Sequence, residues 1–380
     1  MKIVIDSKIP FARGVAERYG EVAYIDGAAI SAADVREADA LIVRTRTRCH
    51  EQLLEGSKVQ FIATATIGYD HIDTAYLQRA GIAWTNCPGC NARSVAQYVA
   101  CTLRQLMLHG WRGMGTTPHP VGSGAPLTPF SPADFGRLTI GVVGVGHVGS
   151  AVCEAARNLG FGRILLCDPP RRERGDHLPF CSLDRIAREA DVITFHTPLT
   201  AAPAAHPTFH LADAAFFASL RRRPVIINAA RGEVVDTDAL LQAFDHDRLA
   251  AAVIDTWEQE PHISLDLLSR SFIATPHIAG YSADGKANGT RMALQALATH
   301  FGFDTAPLAA VCPPTLPPAY DYLQANNPLG PGATLPADIA AAADLCPDLH
   351  RYDPVRDSLA LKACPTHFEQ LRGHYPLRRE

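Results

Sequence analysis

Leu138 to Asp168 reads LTIGVVGVGHVGSAVCEAARNLGFGRILLCD. Its apolar, β-branched opening, Leu138 to Val143, has strand character and passes directly into Gly144-Val145-Gly146-His147-Val148-Gly149. After this turn the apolar residues recur at helical spacing. Gly160 is a helix stop, Arg163 to Cys167 is a second apolar strand, and Asp168 stands at its end, 19 residues beyond Gly149. Strand, glycine turn, helix, strand and acid together form a dinucleotide-binding pattern. Gly144 permits the tight turn, Gly146 removes the side chain that would block a pyrophosphate, and Gly149 lets helix and strand pack closely. The helix start at His147 and Val148 offers N–H groups to phosphates. Asp168 is placed to accept hydrogen bonds from the adenosine ribose and to repel a 2′-phosphate, so the cofactor read from this stretch is NAD rather than NADP, despite Arg171 and Arg172 nearby.

The remaining chain is long enough for two or three domains at 380 residues. A net charge of −4 argues against a general nucleic-acid or membrane-surface binder. The N-terminal MKIVIDSKIPFARG lacks an apolar signal core, and no apolar run approaches the roughly 18 residues of a membrane span. A cytoplasmic protein is expected. Ten cysteines are too sparse for a disulfide scaffold and read as buried thiols. Cys87-Pro88-Gly89-Cys90 has CxxC spacing, but no second CxxC completes a zinc site, so a turn carrying two thiols is expected and no metal.

Upstream of the glycine turn, Lys2 to Ile5, Val22 to Ile25, Ala40 to Val43, Phe61 to Thr66 and Ile82 to Thr85 read as strands alternating with helices, the pattern of a parallel sheet. Ala92 to Leu108 reads as a long helix. Downstream, strands are expected at 138–143, 163–167, 191–196, 224–229, 249–255 and 272–275, with Ser182 capping one of the intervening helices and another at Thr237 to Phe244. A further helix runs from Ser282 to about Phe303. The fold class is α/β: two doubly wound parallel-sheet domains, a flavodoxin-like substrate domain (1–95 with 282–303) and a Rossmann NAD domain (96–281), the latter with a flexible insertion at 110–132. A small C-terminal α+β dimerisation unit is expected at 304–380, with helical patches near Asp338 to Asp344 and His367 to Arg372.

Three segments at successive strand ends carry ionisable groups: Ile227-Asn228-Ala229-Ala230-Arg231-Gly232, Asp255-Thr256-Trp257-Glu258-Gln259-Glu260-Pro261 and Thr275-Pro276-His277-Ile278-Ala279-Gly280-Tyr281. Tips of a parallel sheet converge, so an arginine, a carboxylate and a histidine can meet there. Oxidising an alcohol beside a carboxylate uses these three types: histidine as base, a carboxylate to fix its tautomer, and an arginine fork on the substrate carboxylate. Spacing alone does not separate Glu258 from Glu260. Two loops of the first domain, Arg44 to Arg48 and Thr64 to Asp70 with Gly68, follow strand ends and are candidate substrate loops. If the first is extended, Arg44, Arg46 and Arg48 share one face.

GVGHVG, NAARGEVVD, IDTWEQEP and TPHIAGY resemble, in order, signatures of the D-isomer-specific 2-hydroxyacid dehydrogenases. The resemblance implies a catalytic set of Arg231, Glu260 and His277, and so selects between the glutamates. It implies NAD contacts from Asp168, Thr197, Ala229, Ala230, Arg231, Asp255 and Gly280. TATIGYDHID, PGCNARSVAQYV, CDPPRRERGD, FHTPLT and the tail FEQLRGHYPLRRE resemble one branch of that family, which oxidises a four-carbon phosphorylated 2-hydroxy acid in vitamin B6 synthesis and is a homodimer. That likeness places Thr45, Thr66 and Tyr281 at substrate positions. Thr45 stands where the family usually has serine, keeping the hydroxyl. Another D-2-hydroxyacid dehydrogenase, of the phosphoglycerate or D-lactate type, and an NAD-sensing corepressor-like binding protein are the alternative readings.

Overall fold

The computed structural model describes residues 1–108, 132–315 and 352–380. The expected flexible insertion (110–132, Pro132 apart) and the helical patch near 338–344 lie outside the described residues. The chain divides into two compact units. One comprises Met1–Asn91, 281–315 and Arg379–Glu380; the other comprises Ala92–Gly280 and 352–378.

The first unit is a parallel sheet of β1 (Lys2–Asp6), β2 (Glu21–Ile25), β3 (Ala40–Val43), β4 (Phe61–Thr64) and β5 (Ala83–Thr85), in the order β2-β1-β3-β4-β5. Alternate residues feed two cores, as the two-residue period of a strand requires. Ile3, Ile5, Ile42 and Ala63 pack with Leu294 and Leu297 of the helix Ala283–Phe301. Val4, Leu41, Val43 and Ile62 pack with Leu77 on the other face. Burial on both faces makes β1, β3 and β4 nearly continuous apolar runs, while the edge strands β2 and β5 are only partly buried. The order reverses at β1 and β3, and the loop from Arg44 leaves the sheet at that switch point.

The second unit is built on β6 (Thr139–Val143), β7 (Arg163–Cys167), β8 (Val192–Phe195), β9 (Val225–Asn228), β10 (Ala251–Ile254) and β11 (Ile273–Ala274), all parallel, in the order β11-β10-β9-β8-β6-β7. A single parallel bridge, Leu166↔Phe180, lies beyond β7 in the position of a further strand. Counting it, the order becomes that of a doubly wound dinucleotide-binding sheet, with the switch point at β6 and β8. The glycine turn leaves from β6. Helices Ala92–Leu108 and His147–Leu159 cover one face through Val99, Leu103, Val152 and Ala156. Gly160 ends the second of these in the left-handed region at φ +86°, and Ser182 and Ser282 cap their helices through Oγ.

Two expectations need correction. The unit boundaries fall at 91/92 and 280/281 rather than 95/96 and 281/282, so the whole helix Ala92–Leu108 belongs to the second unit. The described part of the tail, with helices Pro354–Ala363 and Phe368–Gly373, has no core of its own: Leu361 and Phe368 are buried in one core of the second unit and Tyr352 in the other. So short a segment buries its apolar side chains only against a larger body. Among the described residues, no helix is long and apolar enough to cross a membrane.

Candidate active site

The glycine turn is shaped by close approach. Gly144 has φ +84°, and a Cβ there would lie 2.7 Å from the His196 carbonyl and 2.9 Å from Thr197 Cγ2. A Cβ on Gly149 would lie 2.0 Å from the Gly144 oxygen, whereas Gly146 faces open space. Helix His147–Leu159 starts at Gly146 without a side-chain cap, leaving its first N–H groups for a ligand. Beside the turn, Thr197 Oγ1 and His196 Nδ1 are buried with no hydrogen-bond partner among the described residues. Burial holds the His196 imidazole down to about 3, so it is neutral. Open space at Gly146, uncapped N–H groups and an orphaned buried hydroxyl fit a dinucleotide. Asp168 Oδ2 accepts the Val145 N–H at 2.8 Å and Oδ1 the Arg171 N–H at 3.0 Å. The acid therefore fixes the turn and keeps lone pairs to spare for a further donor. Arg171 is committed to Asp176 and to the Val145 carbonyl.

Arg231, Glu260 and His277 follow the neighbouring strands β9, β10 and β11. His277 Nδ1 is 2.9 and 3.1 Å from the two Glu260 oxygens. This pairing puts the imidazole proton on Nδ1 and leaves the Nε2 lone pair as the basic atom. Burial pushes the Glu260 carboxyl up, but the His277 imidazole, Arg372 and the Trp257 N–H (2.9 Å) together hold it below the usual glutamate value. Glu258 is engaged elsewhere: it accepts from His210 Nε2 at 2.7 Å and from the Thr237 N–H at 2.8 Å. Of the two glutamates, it is Glu260 that pairs with His277. Gly232 packs so tightly on Trp257 that a Cβ would lie 2.0 Å from its carbonyl carbon, which brings the Arg231 turn against the segment bearing Glu260. The Arg231 backbone is held by Asn228 Nδ2 (2.8 Å), and its guanidinium donates to the Ala230 carbonyl (2.7 Å).

His277 has φ +56°, an unfavourable conformation for a side-chain-bearing residue that its surroundings enforce. Asp255, expected as an NAD contact, is 1% exposed, and its carboxylate accepts from Thr275 Oγ1 (2.6 Å), the Ile278 N–H (2.8 Å) and the Ala279 N–H (3.0 Å). Its main-chain carbonyl accepts the His277 N–H at 2.8 Å. What the structure shows of Asp255 is support for the histidine turn. Trp257 Nε1 ties the same turn to the glutamate segment through the Thr275 carbonyl (2.9 Å). The tail adds Arg378, fully buried, which donates to the carbonyls of Ile278 and Ala279 and to Ser94 and Gln97, with its guanidinium over the Tyr352 ring. Ala229, Ala230 and Gly280 flank these turns. Trp257, Arg372 and Arg378 escaped the sequence reading because nothing local marks their partners, which lie 18 positions away for Trp257 and about 100 or more for the two arginines.

In the first unit, Arg44–Arg48 is a turn closed by Thr47 N–H to the Arg44 carbonyl (3.2 Å), not an extended segment. The two-residue period therefore does not apply to the three arginines. Thr47 anchors the turn by donating from Oγ1 to the Gly27 carbonyl (2.9 Å), Arg44 Nη1 donates to the Lys8 carbonyl (3.3 Å), and Thr45 and Arg46 are exposed. At the tip of β4, Thr66 Oγ1 donates to the Gly68 carbonyl (2.9 Å) and meets Thr64 Oγ1 (2.7 Å), which in turn meets His71 Nε2 (3.0 Å). Tyr281 carries Lys286 Nζ over its ring at 4.2 Å. Cys87 and Cys90 are buried free thiols, each pushed up to about 12 by burial, and Cys87 Sγ donates to the Gly289 carbonyl. Thiols this hard to ionise are poor nucleophiles and poor metal ligands.

Residues 105–279 match the NAD binding domain of the D-isomer specific 2-hydroxyacid dehydrogenases. A D-lactate dehydrogenase of Aquifex aeolicus, solved with NAD and lactic acid, superposes with a TM-score of 0.64 at 23% identity, over 80% of this chain and 96% of that one. The fold is therefore shared well beyond the matched domain. An erythronate-4-phosphate dehydrogenase of Bacteroides fragilis is 49% identical over 381 aligned positions, covering 100% of this chain and 97% of that protein. One from Porphyromonas gingivalis is 41% identical over 100% of this chain and 94% of its own length. The chain belongs to the D-isomer specific 2-hydroxyacid dehydrogenases and, within them, to the erythronate-4-phosphate dehydrogenase family. It is an NAD-dependent dehydrogenase.

Proposed function

We propose that this enzyme oxidises erythronate 4-phosphate to 2-oxo-3-hydroxy-4-phosphobutanoate, a step of vitamin B6 synthesis, and that it works as a homodimer in the cytoplasm. The observation that carries the chemistry is the Glu260–His277 pair, with both carboxylate oxygens within 3.1 Å of Nδ1. His277 Nε2 takes the proton of the 2-hydroxyl, and Glu260 steadies the imidazolium that results. The Arg231 fork holds the substrate carboxylate and polarises the oxygen that becomes the carbonyl. NAD, when bound, accepts the hydride. Gly144, Gly146, Gly149, Asp168, Thr197 and the Ala229–Arg231 and Gly280 turns hold it. Arg44, Thr45, Arg46, Thr66, Gly68 and Tyr281 are the substrate positions of the first unit, with the arginines serving the phosphate.

The test is NADH formation with a panel of erythronate 4-phosphate, erythronate, 3-phosphoglycerate and D-lactate. A kcat/KM highest on erythronate 4-phosphate, by orders of magnitude over erythronate, is expected if phosphate binding stabilises the transition state. Equal values on the phosphorylated and unphosphorylated acids return the reading to a general 2-hydroxyacid dehydrogenase. Mass measurement of the native protein separates dimer from monomer.

A further inference from the structure

We propose that Arg372, on the tail helix Phe368–Gly373, is a positioning residue that sets the proton affinity of His277 by acting on Glu260. The inference rests on the reading of His277 as the base. Arg372 Nη1 lies 3.7 Å from Glu260 Oε2, the oxygen that is 2.9 Å from His277 Nδ1. Both side chains are mostly shielded, 19% and 18% exposed, so the charge is felt more strongly than on an open surface. The helix is fixed there because Phe368 is buried, and Leu371 packs, in the core that also contains Trp257.

The distance decides how the guanidinium acts. At 3.7 Å it is too far for a hydrogen bond and close enough for a direct field. Glu260 therefore keeps both oxygens on His277, and part of the carboxylate's pull on the imidazolium is offset. Among the described charged groups, Glu260 and Asp255 favour the protonated base, while Arg372, the buried Arg378 on the same turn and Arg231 at the neighbouring strand tip oppose it. Loss of the Arg372 charge shifts that balance toward the protonated base, which is idle in the oxidation direction. The tail thus contributes a group to the reaction without touching substrate.

The sign is testable in both directions of the reaction. Oxidation needs neutral His277, so kcat/KM rises with pH; reduction of the 2-oxo acid by NADH needs it protonated and falls with pH. In Arg372→Gln the acid limb of oxidation is expected to move up by about half to one pH unit, with the alkaline plateau within about twofold of wild type. Below the limb, oxidation falls about three- to tenfold, while above it reduction gains by the same factor. Loss of a purely structural contact cannot produce that gain. Arg372→Lys should return the limb toward wild type. Thermal melting and NAD affinity check folding, and neutral Arg372→Met carries the same test should Arg372→Gln not fold. An unmoved limb in a folded neutral variant, or equal losses in both directions at every pH, overturns the proposal. His277→Ala separates the two readings: if it still turns over, the base assignment fails; if it is inactive while the Arg372→Gln limb is unmoved, only this inference fails.

Discussion

The turn Thr275–Ala279 of the second unit is gripped by a buried carboxylate, an indole N–H and a buried arginine, while the turn Arg44–Arg48 of the first is tied by the buried Thr47 hydroxyl and by Arg44 to the Lys8 carbonyl, with Thr45, Arg46 and Arg48 exposed. Both leave the C-terminal ends of parallel strands. In the proposed reaction they differ in what their side chains must do. A base has to be held in one orientation against a substrate hydroxyl, and misplacement by an ångström costs about a hundredfold. A cation that recognises a phosphate tolerates more freedom, because charge attraction is less directional than proton transfer.

This contrast orders the expected effects. His277→Ala removes the base itself and should lower kcat by about 10²-fold or more, with NAD affinity retained. Near-normal turnover would transfer the role to another group. Asp255→Asn keeps the shape of the side chain but offers an NH2 where an N–H of the turn must be accepted. It should cost about 1–3 kcal/mol of stability and lower kcat about tenfold. Unchanged kcat alongside reduced stability would show that the turn holds its shape without that grip.

Asp168→Ala acts on the cofactor site: NAD should weaken and NADP gain relative to it, since ribose acceptor and phosphate repulsion go together, and the turn also loses the carboxylate that accepts the Val145 N–H. A wild-type preference for NADP would overturn the assignment. The smallest effects are expected from Arg44→Ala and Arg46→Ala singly, on a turn that is already open to solvent. Each should narrow the ratio of kcat/KM between phosphorylated and unphosphorylated acids several-fold while leaving the rate on erythronate nearly unchanged. Equal losses on both acids would mean that these arginines serve the turn and not the phosphate.

What could be seen in the sequence follows the same division. Eleven strands and the long helices were legible because most of the parallel strands, buried on both faces, are apolar runs and because Gly160, Ser182 and Ser282 punctuate the helices locally. Arg231 and His277 stood out because each lies close behind a strand end, whereas Glu260, farther beyond β10, was told from Glu258 only by the family resemblance. The arrangement that holds them was not, since Trp257 reaches across to Thr275 and Arg378 reaches Ser94 over 284 positions. The arginines of the first unit were placed on one face by a strand period that does not apply beyond Val43, where the chain turns. The tail looked independent because its Pro-rich approach suggests a linker, whereas among its described residues Tyr352, Leu361 and Phe368 are buried in the second unit's cores and Leu308 and Val311 in one of the first unit's.

The most direct test uses two glutamates separated by one residue. Glu258 holds His210 and the start of the helix Thr237–Asp245, and Glu260 holds His277. With erythronate 4-phosphate and NAD, Glu260→Gln should lower kcat by about 10²-fold, because an amide does not stabilise an imidazolium. Glu258→Gln should stay within about threefold of wild type and lose stability instead. A reversed order, or equal loss of kcat in both variants, would contradict the assignment of His277 and Glu260 as the proton-transfer pair.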